Sequence, residues 1–249
     1  MNKFINLKPD NIVNEHICCI IRSKSKHEGI ESKKKWLKER LKEGHVFRKL
    51  NEKATVFIEY APLEKAWVPI DGNNYYYIYC LWTLGNYRNK GYGKELLEYC
   101  INDAKEKNKF GICFLGSVKQ KAWLTNQDFM KKHGFKEVDK TRNGYELLAL
   151  SFDNTYPKFC NDAKNEKIDS KDLTIYYSDQ CPYIYQAILN IKNYCSDNKI
   201  PLNLIKVDSL DKAKKLPCVF NNWALFYNGK FITINLLDIK SLSKIIEKN

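Results

Sequence analysis

The sequence predicts an α/β (α+β) protein in two parts: a mixed, mostly antiparallel sheet flanked by helices, then a smaller α/β module. Three observations carry this. Strand-like runs bounded by turn signals recur through residues 1–152. One aromatic-rich run, residues 75–82, leads through a glycine-bearing loop into an amphipathic helix. After a polar stretch at 153–172, a second series begins in the order β-α-β-α-β-β-α. The 249 residues suffice for two modest cores, and no internal repeat relates the halves.

In chain order, a strand is predicted at residues 4–7 and a helical stretch at 9–21. A second helix is predicted at 32–42, where Trp36, Leu37 and Leu41 form an apolar stripe. Strands at 45–50 and 54–61 are joined by a short turn at 51–53. The turn signal Asp71-Gly72-Asn73-Asn74 precedes the β-prone run 75–82. Leu96, Leu97, Cys100, Ile101 and Ala104 then mark one face of the best helix in the chain. A buried strand at 110–115 follows, then a helix at 122–132 closed by Gly134. Strands at 135–138 and 145–152 pair around Asn143-Gly144.

Residues 153–172 read as a linker, which sets domains at 1–152 and 173–249. The second part predicts strands at 173–177 and 202–207, and a hairpin of 219–227 with 230–234. Its helices fall at 183–195, 211–215 and 239–247.

Composition narrows the function classes. The 42 Lys plus Arg against 29 Asp plus Glu leave a net charge of +13, which suits a polyanionic partner. The lysines are spread along the chain, so charge does not by itself make a nucleic-acid-binding protein. The dense run Lys33-Lys34-Lys35, with Lys38, Arg40 and Lys42, reads as a solvated helix face. No apolar stretch is long enough to span a bilayer and no signal-peptide h-region is present, so a cytoplasmic, membrane-free protein is expected. The nine cysteines form no Cys-x-x-Cys, so neither a zinc ribbon nor a dithiol motif is written locally and no metal is expected.

The loop Arg88-Asn89-Lys90-Gly91-Tyr92-Gly93 follows a strand and opens a helix. Glycines let the backbone approach a ligand, and first-turn N–H groups lack intrahelical acceptors. With the helix dipole and the charges of Arg88, Lys90 and Lys94, that arrangement favours a diphosphate. A Walker loop and a Rossmann fingerprint are both absent.

Residues 87–97 resemble the acyl-CoA-binding motif of the GNAT acetyltransferases, Arg/Gln-x-x-Gly-x-Gly/Ala. Residues 128–135 are similar to that family's second signature, a helix ending in Gly-Phe. The resemblance covers about residues 1–152 and implies acetyl transfer from acetyl-CoA to a primary amine of a small molecule or peptide. It implies that backbone near Leu81, Trp82 and Thr83 holds the acetyl carbonyl and pantetheine arm. Arg88, Asn89, Lys90, Gly91, Tyr92, Gly93 and Lys94 would hold the pyrophosphate, with Asn126 and Met130 as further cofactor contacts. Trp82 reads equally as sheet packing or as a wall of the acceptor pocket.

One position departs from the family pattern. Where many members carry a tyrosine thought to protonate the leaving thiolate, this chain has Met130, which has no proton to give. Candidates for a general base are Glu59, Tyr79 and Cys80. Glu59 reads otherwise as a surface strand residue, and Tyr79 and Cys80 as core or pocket lining. Catalysis by positioning alone is the remaining alternative.

In the second part, Cys181-Pro182-Tyr183 at a strand-to-helix junction resembles a thioredoxin-like or glutaredoxin-like module, with Ile184 where dithiol versions carry a second cysteine. That resemblance makes Pro217 the candidate for a cis bond. It also makes Cys181, with Cys218 brought close, a candidate thiol site. The alternative is a recognition or dimerisation unit without redox chemistry, which leaves a homodimer open. The two halves together resemble GNAT acetyltransferases with a YoaP-type C-terminal domain. Competing functional readings are an acetyl-CoA-binding sensor or scaffold without turnover, and a monothiol redox protein acting through Cys181.

Overall fold

The computed structural model describes residues 3–17, 19–20 and 27–248, which divide into two compact units. The first comprises residues 1–26, 34–66 and 70–159; the second comprises 27–33, 67–69 and 160–249.

The first unit is built on a seven-stranded sheet. Its strands are β1 (Phe4–Asn6), β2 (Val46–Leu50), β3 (Val56–Pro62), β5 (Tyr75–Thr83), β6 (Gly111–Ser117), β7 (Lys136–Lys140) and β8 (Tyr145–Ser151). The sheet order is β1-β2-β3-β5-β6-β8-β7, with only β5 and β6 parallel among these pairs. A separate two-residue strand, β4 (Ile70–Asp71), pairs antiparallel with β9 (Lys158–Phe159).

Helix α2 (Tyr92–Glu106) lays Leu96, Leu97, Cys100 and Ala104 on Val56, Ile58, Tyr76 and Ile78. The periodic positions read from the sequence are therefore the buried ones, with Ile101 packed at the edge. Burying each of the two leucines contributes about 1.5–3 kcal/mol.

Helix α1 (Glu28–Leu41) starts four residues before the predicted boundary, with Glu28 and Glu31 in its first turn, where the helix dipole favours acidic groups. Trp36 and Leu37 are buried. Lys33 departs from the solvated face expected of its run: it is buried, and its ammonium donates to the Gln180 carbonyl at 2.6 Å. A long aliphatic stem makes such burial tolerable when the charged end is hydrogen-bonded.

Two predicted helices change. Residues 9–14 form turns rather than the start of a helix. Asn11 accepts from the Lys8 amide at 2.8 Å and donates to the Asn6 carbonyl at 3.4 Å, local bonds that compete with helix. The remainder of that predicted helix runs to Ile21, and Cys18 and Ile21 lie outside the described residues. The helix predicted at 122–132 is only α3 (Gln127–Lys132), because Trp123 takes a left-handed φ of 69° and Asn126 caps the chain later.

The second unit holds a four-stranded sheet, order β11-β10-β12-β13. Its strands are β10 (Leu173–Tyr177), β11 (Leu202–Lys206), β12 (Trp223–Tyr227) and β13 (Lys230–Thr233), and only β10 and β11 run parallel. Helix α4 (Tyr183–Asp197) buries Ile184, Ile188, Ile191 and Cys195, one face at helical spacing. Helices α5 (Leu210–Lys214) and α6 (Ile239–Lys248) complete it, with Leu242 of α6 fully buried. Part of the polar stretch 153–172 belongs to this unit: Ile168 donates to the Gly229 carbonyl at 2.9 Å and Lys167 bridges Lys230. No peptide bond among the described residues is cis, so Pro217 does not carry the expected cis bond.

Candidate active site

The start of α2 is shaped by three left-handed residues, Gly85, Asn89 and Gly91, with φ of 63°, 59° and 79°. Gly91 occupies the N-cap position without any side-chain cap, and the helix ladder begins with Glu95 N–H donating to Gly91 C=O at 3.0 Å. The amides of Tyr92, Gly93 and Lys94 consequently have no acceptor within the helix. A β-carbon on Gly91 would meet nothing within 4 Å, so backbone strain rather than crowding favours glycine, and the space ahead of the helix is open.

A β-carbon on Gly93 would stand 3.7 Å from the Phe129 ring and 3.8 Å from Thr83 Cγ2, which makes those residues one continuous wall. Arg88, Asn89, Lys90 and Lys94 are exposed around this opening. Tyr92 packs against Phe4 and Tyr87, with ring centroids 6.1 and 5.9 Å away. These geometries suit an anion at the helix N-terminus.

Beside it the sheet divides. The β5–β6 register runs from Tyr75↔Gly111 to Ile78↔Phe114, while β5 continues to Thr83 and β6 to Ser117. Residues 80–83 of β5 keep their ladder to β3 only. Leu81 sends its side chain into the core, and Trp82 and Thr83 are half-buried beside the opening.

A bulge falls at the same place. Glu59 faces Cys80, but the next β3 residue, Tyr60, faces Ile78, so Tyr79 is an extra residue in β5. The insertion changes the alternation: Ile78 and Leu81, three apart, both join the core under α2. Tyr79 and Cys80 accordingly share the opposite face with Glu59. The three candidate bases, unrelated in the sequence by any local motif, are thereby brought together.

Glu59 is not the surface strand residue that one reading expected. It is 0% exposed, and its Oε1 lies 3.0 Å from His45 Nε2. The reason is a cover of aromatic rings. His45 stacks on Tyr79 with centroids 5.3 Å apart and planes 27° apart, and Trp36 meets both rings edge-on at 5.3 and 6.2 Å. Tyr77 meets Tyr79 edge-on at 5.0 Å, and burial holds the Tyr77 hydroxyl well above its usual pKa. Cys80 is half-buried.

The sequence reading missed His45 and Trp36. A period-two reading of the hairpin from 45 to 61 would have put His45, Phe47 and Glu59 on one face, since Phe47 pairs with Glu59.

On α3, Asn126 uses its Oδ1 to accept from the Phe129 amide at 2.7 Å, so its defined role is a helix cap. Met130 is fully buried in the core and presents no surface to a ligand. Phe129, one residue earlier, is the side chain that faces Gly93.

In the second unit, Cys181 is half-buried just before α4, beside a cavity of about 210 Å³ whose lining includes Tyr177, Asp179, Ile184 and Lys206. Asp179 and Lys206 form an ion pair at 2.7 Å. Cys218 is fully buried, and burial, with the Glu166 carboxylate nearby, pushes its thiol pKa well up. No disulfide joins Cys181 and Cys218.

Among the described residues no helix is long and apolar enough to cross a membrane, and no group of three or more His, Cys, Asp or Glu side chains gathers as a metal site.

Comparison with known proteins gives concordant matches. Residues 11–135 match the acetyltransferase (GNAT) family, and residues 201–244 match the YoaP-like family. The chain is 35% identical over 245 residues to the "Uncharacterized N-acetyltransferase YoaP" of Bacillus subtilis (strain 168), covering 98% of each chain. Among solved structures, it is similar to the PaiA N-acetyltransferase of Thermoplasma acidophilum in complex with coenzyme A. That likeness has TM-score 0.42 and 16% identity, covering 61% of this chain and 100% of the other. A second is Ard1 of Thermoplasma volcanium, with TM-score 0.40 and 12% identity over 60% of this chain and 98% of the other.

Proposed function

The chain belongs to the GNAT acetyltransferase family, and from that premise we propose that it transfers the acetyl group of acetyl-CoA to a primary amine of a small molecule or peptide. The observation that carries the cosubstrate assignment is the open space at Gly91, ahead of a 15-residue helix whose first amides point out of the helix start. Arg88, Lys90 and Lys94 add positive charge for the pyrophosphate.

The divergence of β5 from β6 supplies a slot for the pantetheine arm. Its wall is the backbone of Leu81, Trp82 and Thr83, and its inner end lies at the bulge. A backbone N–H of the bulged stretch would steady the oxyanion as the amine adds to the thioester carbonyl. Holding the two reactants at the head of one slot accounts for much of the rate by proximity alone. The amine approaches along the face of β5 that carries half-buried Cys80.

Met130 favours a second reading, a sensor that binds acetyl-CoA without turnover. Titration calorimetry with acetyl-CoA, followed by thiol release against a panel of primary amines, separates the two. Binding with thiol release and an acetylated product supports the enzyme. Absence of binding would overturn both readings.

A further inference from the structure

We propose that His45, oriented by Glu59, takes the proton that the acceptor amine must lose before it attacks the acetyl group. This rests on the acetyltransferase reading above. Glu59, at 0% exposure, cannot meet an acceptor itself. The His45 side chain, 2% exposed, lies on that carboxylate, and Tyr79, 4% exposed, stacks on His45. The two rings thus stand between the carboxylate and the strand segment where β5 leaves β6.

Tyr79 is the extra residue at the bulge, immediately after the last β5–β6 partners Ile78↔Phe114. The His45 ring lies flat on the Tyr79 ring, 5.3 Å between centroids. A proton acceptor is thus packed against the strand segment where the two strands part.

Glu59 Oε1 is 3.0 Å from His45 Nε2, so with Glu59 ionised Nε2 carries the hydrogen and Nδ1 is the basic nitrogen. The His45 amide is tied to the Arg40 carbonyl at 3.2 Å, and Trp36 closes the ring edge-on. The titratable groups packed on the imidazole are Glu59 from β3 and Tyr79 from β5, with Tyr77 behind Tyr79. The carboxylate stabilises the imidazolium once formed.

The step balances. The ammonium gives one proton to His45, and the free amine forms a C–N bond to the thioester carbonyl. The C–S bond then breaks, and the departing CoA thiolate takes the second amine proton. His45 later returns its proton to solvent.

Methylamine and hydroxylamine test this, because they are nearly equal in size but only methylamine is protonated near neutral pH. Acetyl transfer to each is followed by mass spectrometry for wild type, His45→Gln and Glu59→Gln. Unfolding curves confirm that each variant folds.

His45→Gln should lose roughly 10²–10⁴-fold in kcat with methylamine. Its loss with hydroxylamine should be at least about tenfold smaller, and its methylamine rate should follow only the amine's own ionisation with pH. Glu59→Gln, which keeps the imidazole but removes its counter-charge, should show the same selectivity to a lesser degree.

Equal losses with both nucleophiles would overturn the relay in favour of a structural role. A wild-type methylamine rate in His45→Gln would overturn it outright. Wild type that binds acetyl-CoA yet acetylates neither probe, or that fails to bind acetyl-CoA at all, would instead bring down the underlying acetyltransferase reading.

Discussion

Gly93 and Thr83 lie side by side at the start of α2: a β-carbon on Gly93 would stand 3.8 Å from Thr83 Cγ2, an ordinary van der Waals contact. The two glycines of the loop therefore answer to different demands. Gly91 is held by its φ of 79°, and Gly93 is held by no clash in this chain.

Substituting the two glycines should separate stability from binding. Gly93→Ala, inside the helix, should raise stability by up to about 1 kcal/mol and change acetyl-CoA affinity less than about tenfold. Gly91→Ala should cost about 1–2 kcal/mol for its left-handed backbone. Gly91→Val should in addition weaken acetyl-CoA binding more than about tenfold while the chain remains folded. Thermal unfolding and titration calorimetry read the two effects; normal cofactor affinity in Gly91→Val would refute the pyrophosphate assignment.

Exposed charges at the loop should act weakly and through screening. Lys90→Gln should lower acetyl-CoA affinity by about two- to fivefold, within the ~1 kcal/mol scale of exposed charge pairs. The difference from wild type should shrink as salt rises, because the Debye length falls to about 3 Å at 1 M. Affinity measured across a salt series checks both statements.

At Met130 the surroundings are core, so the family's tyrosine should not be tolerated freely. Met130→Tyr should destabilise the fold by about 1–3 kcal/mol through overpacking, without a gain in turnover. Met130→Leu should cost less than about 1.5 kcal/mol. Denaturant unfolding of both variants provides the comparison. A stable Met130→Tyr with faster thiol release would show that the hydroxyl reaches the reaction slot.

Burial raises the pKa of Cys100, Cys218, Tyr60, Tyr76 and Tyr77, desolvation being the first cause in each case. Above about pH 8.5 for cysteine and about pH 10 for tyrosine, the unfolded chain loses protons that the folded chain keeps. The folded state then binds more protons, so stability falls as pH rises. Tm should therefore be sustained through neutral pH and decline steadily above about pH 8.5. A flat Tm across that range would contradict the burial of these groups.

Much of this fold was legible because its signals are local. The apolar positions of α2 repeat at helical spacing, and the hairpin of β7 and β8 has Asn143-Gly144 at its turn. Where local signals compete, the reading slipped. Residues 9–14 open the stretch predicted to be helical, but Asn11 ties the backbone into turns. Residues 122–126 look like the first turn and a half of a helix until Asn126 is seen to cap α3.

Residues 85–97 determined by themselves that a glycine-capped helix start with exposed cations would form, a place suited to an anion. They could not determine what lies at the far end of the slot. A bulge belongs to two strands at once, so the extra position of Tyr79 exists only when β3 pairs with β5. That pairing sets the face on which Tyr79 and Cys80 meet Glu59. The 3.0 Å contact of Glu59 with His45 likewise depends on β2 folding back on β3. Tertiary structure decided these, because alternation assigns each side chain to a face, whereas which side chains meet depends on how the strands pair, and the bulge shifts the alternation at Tyr79.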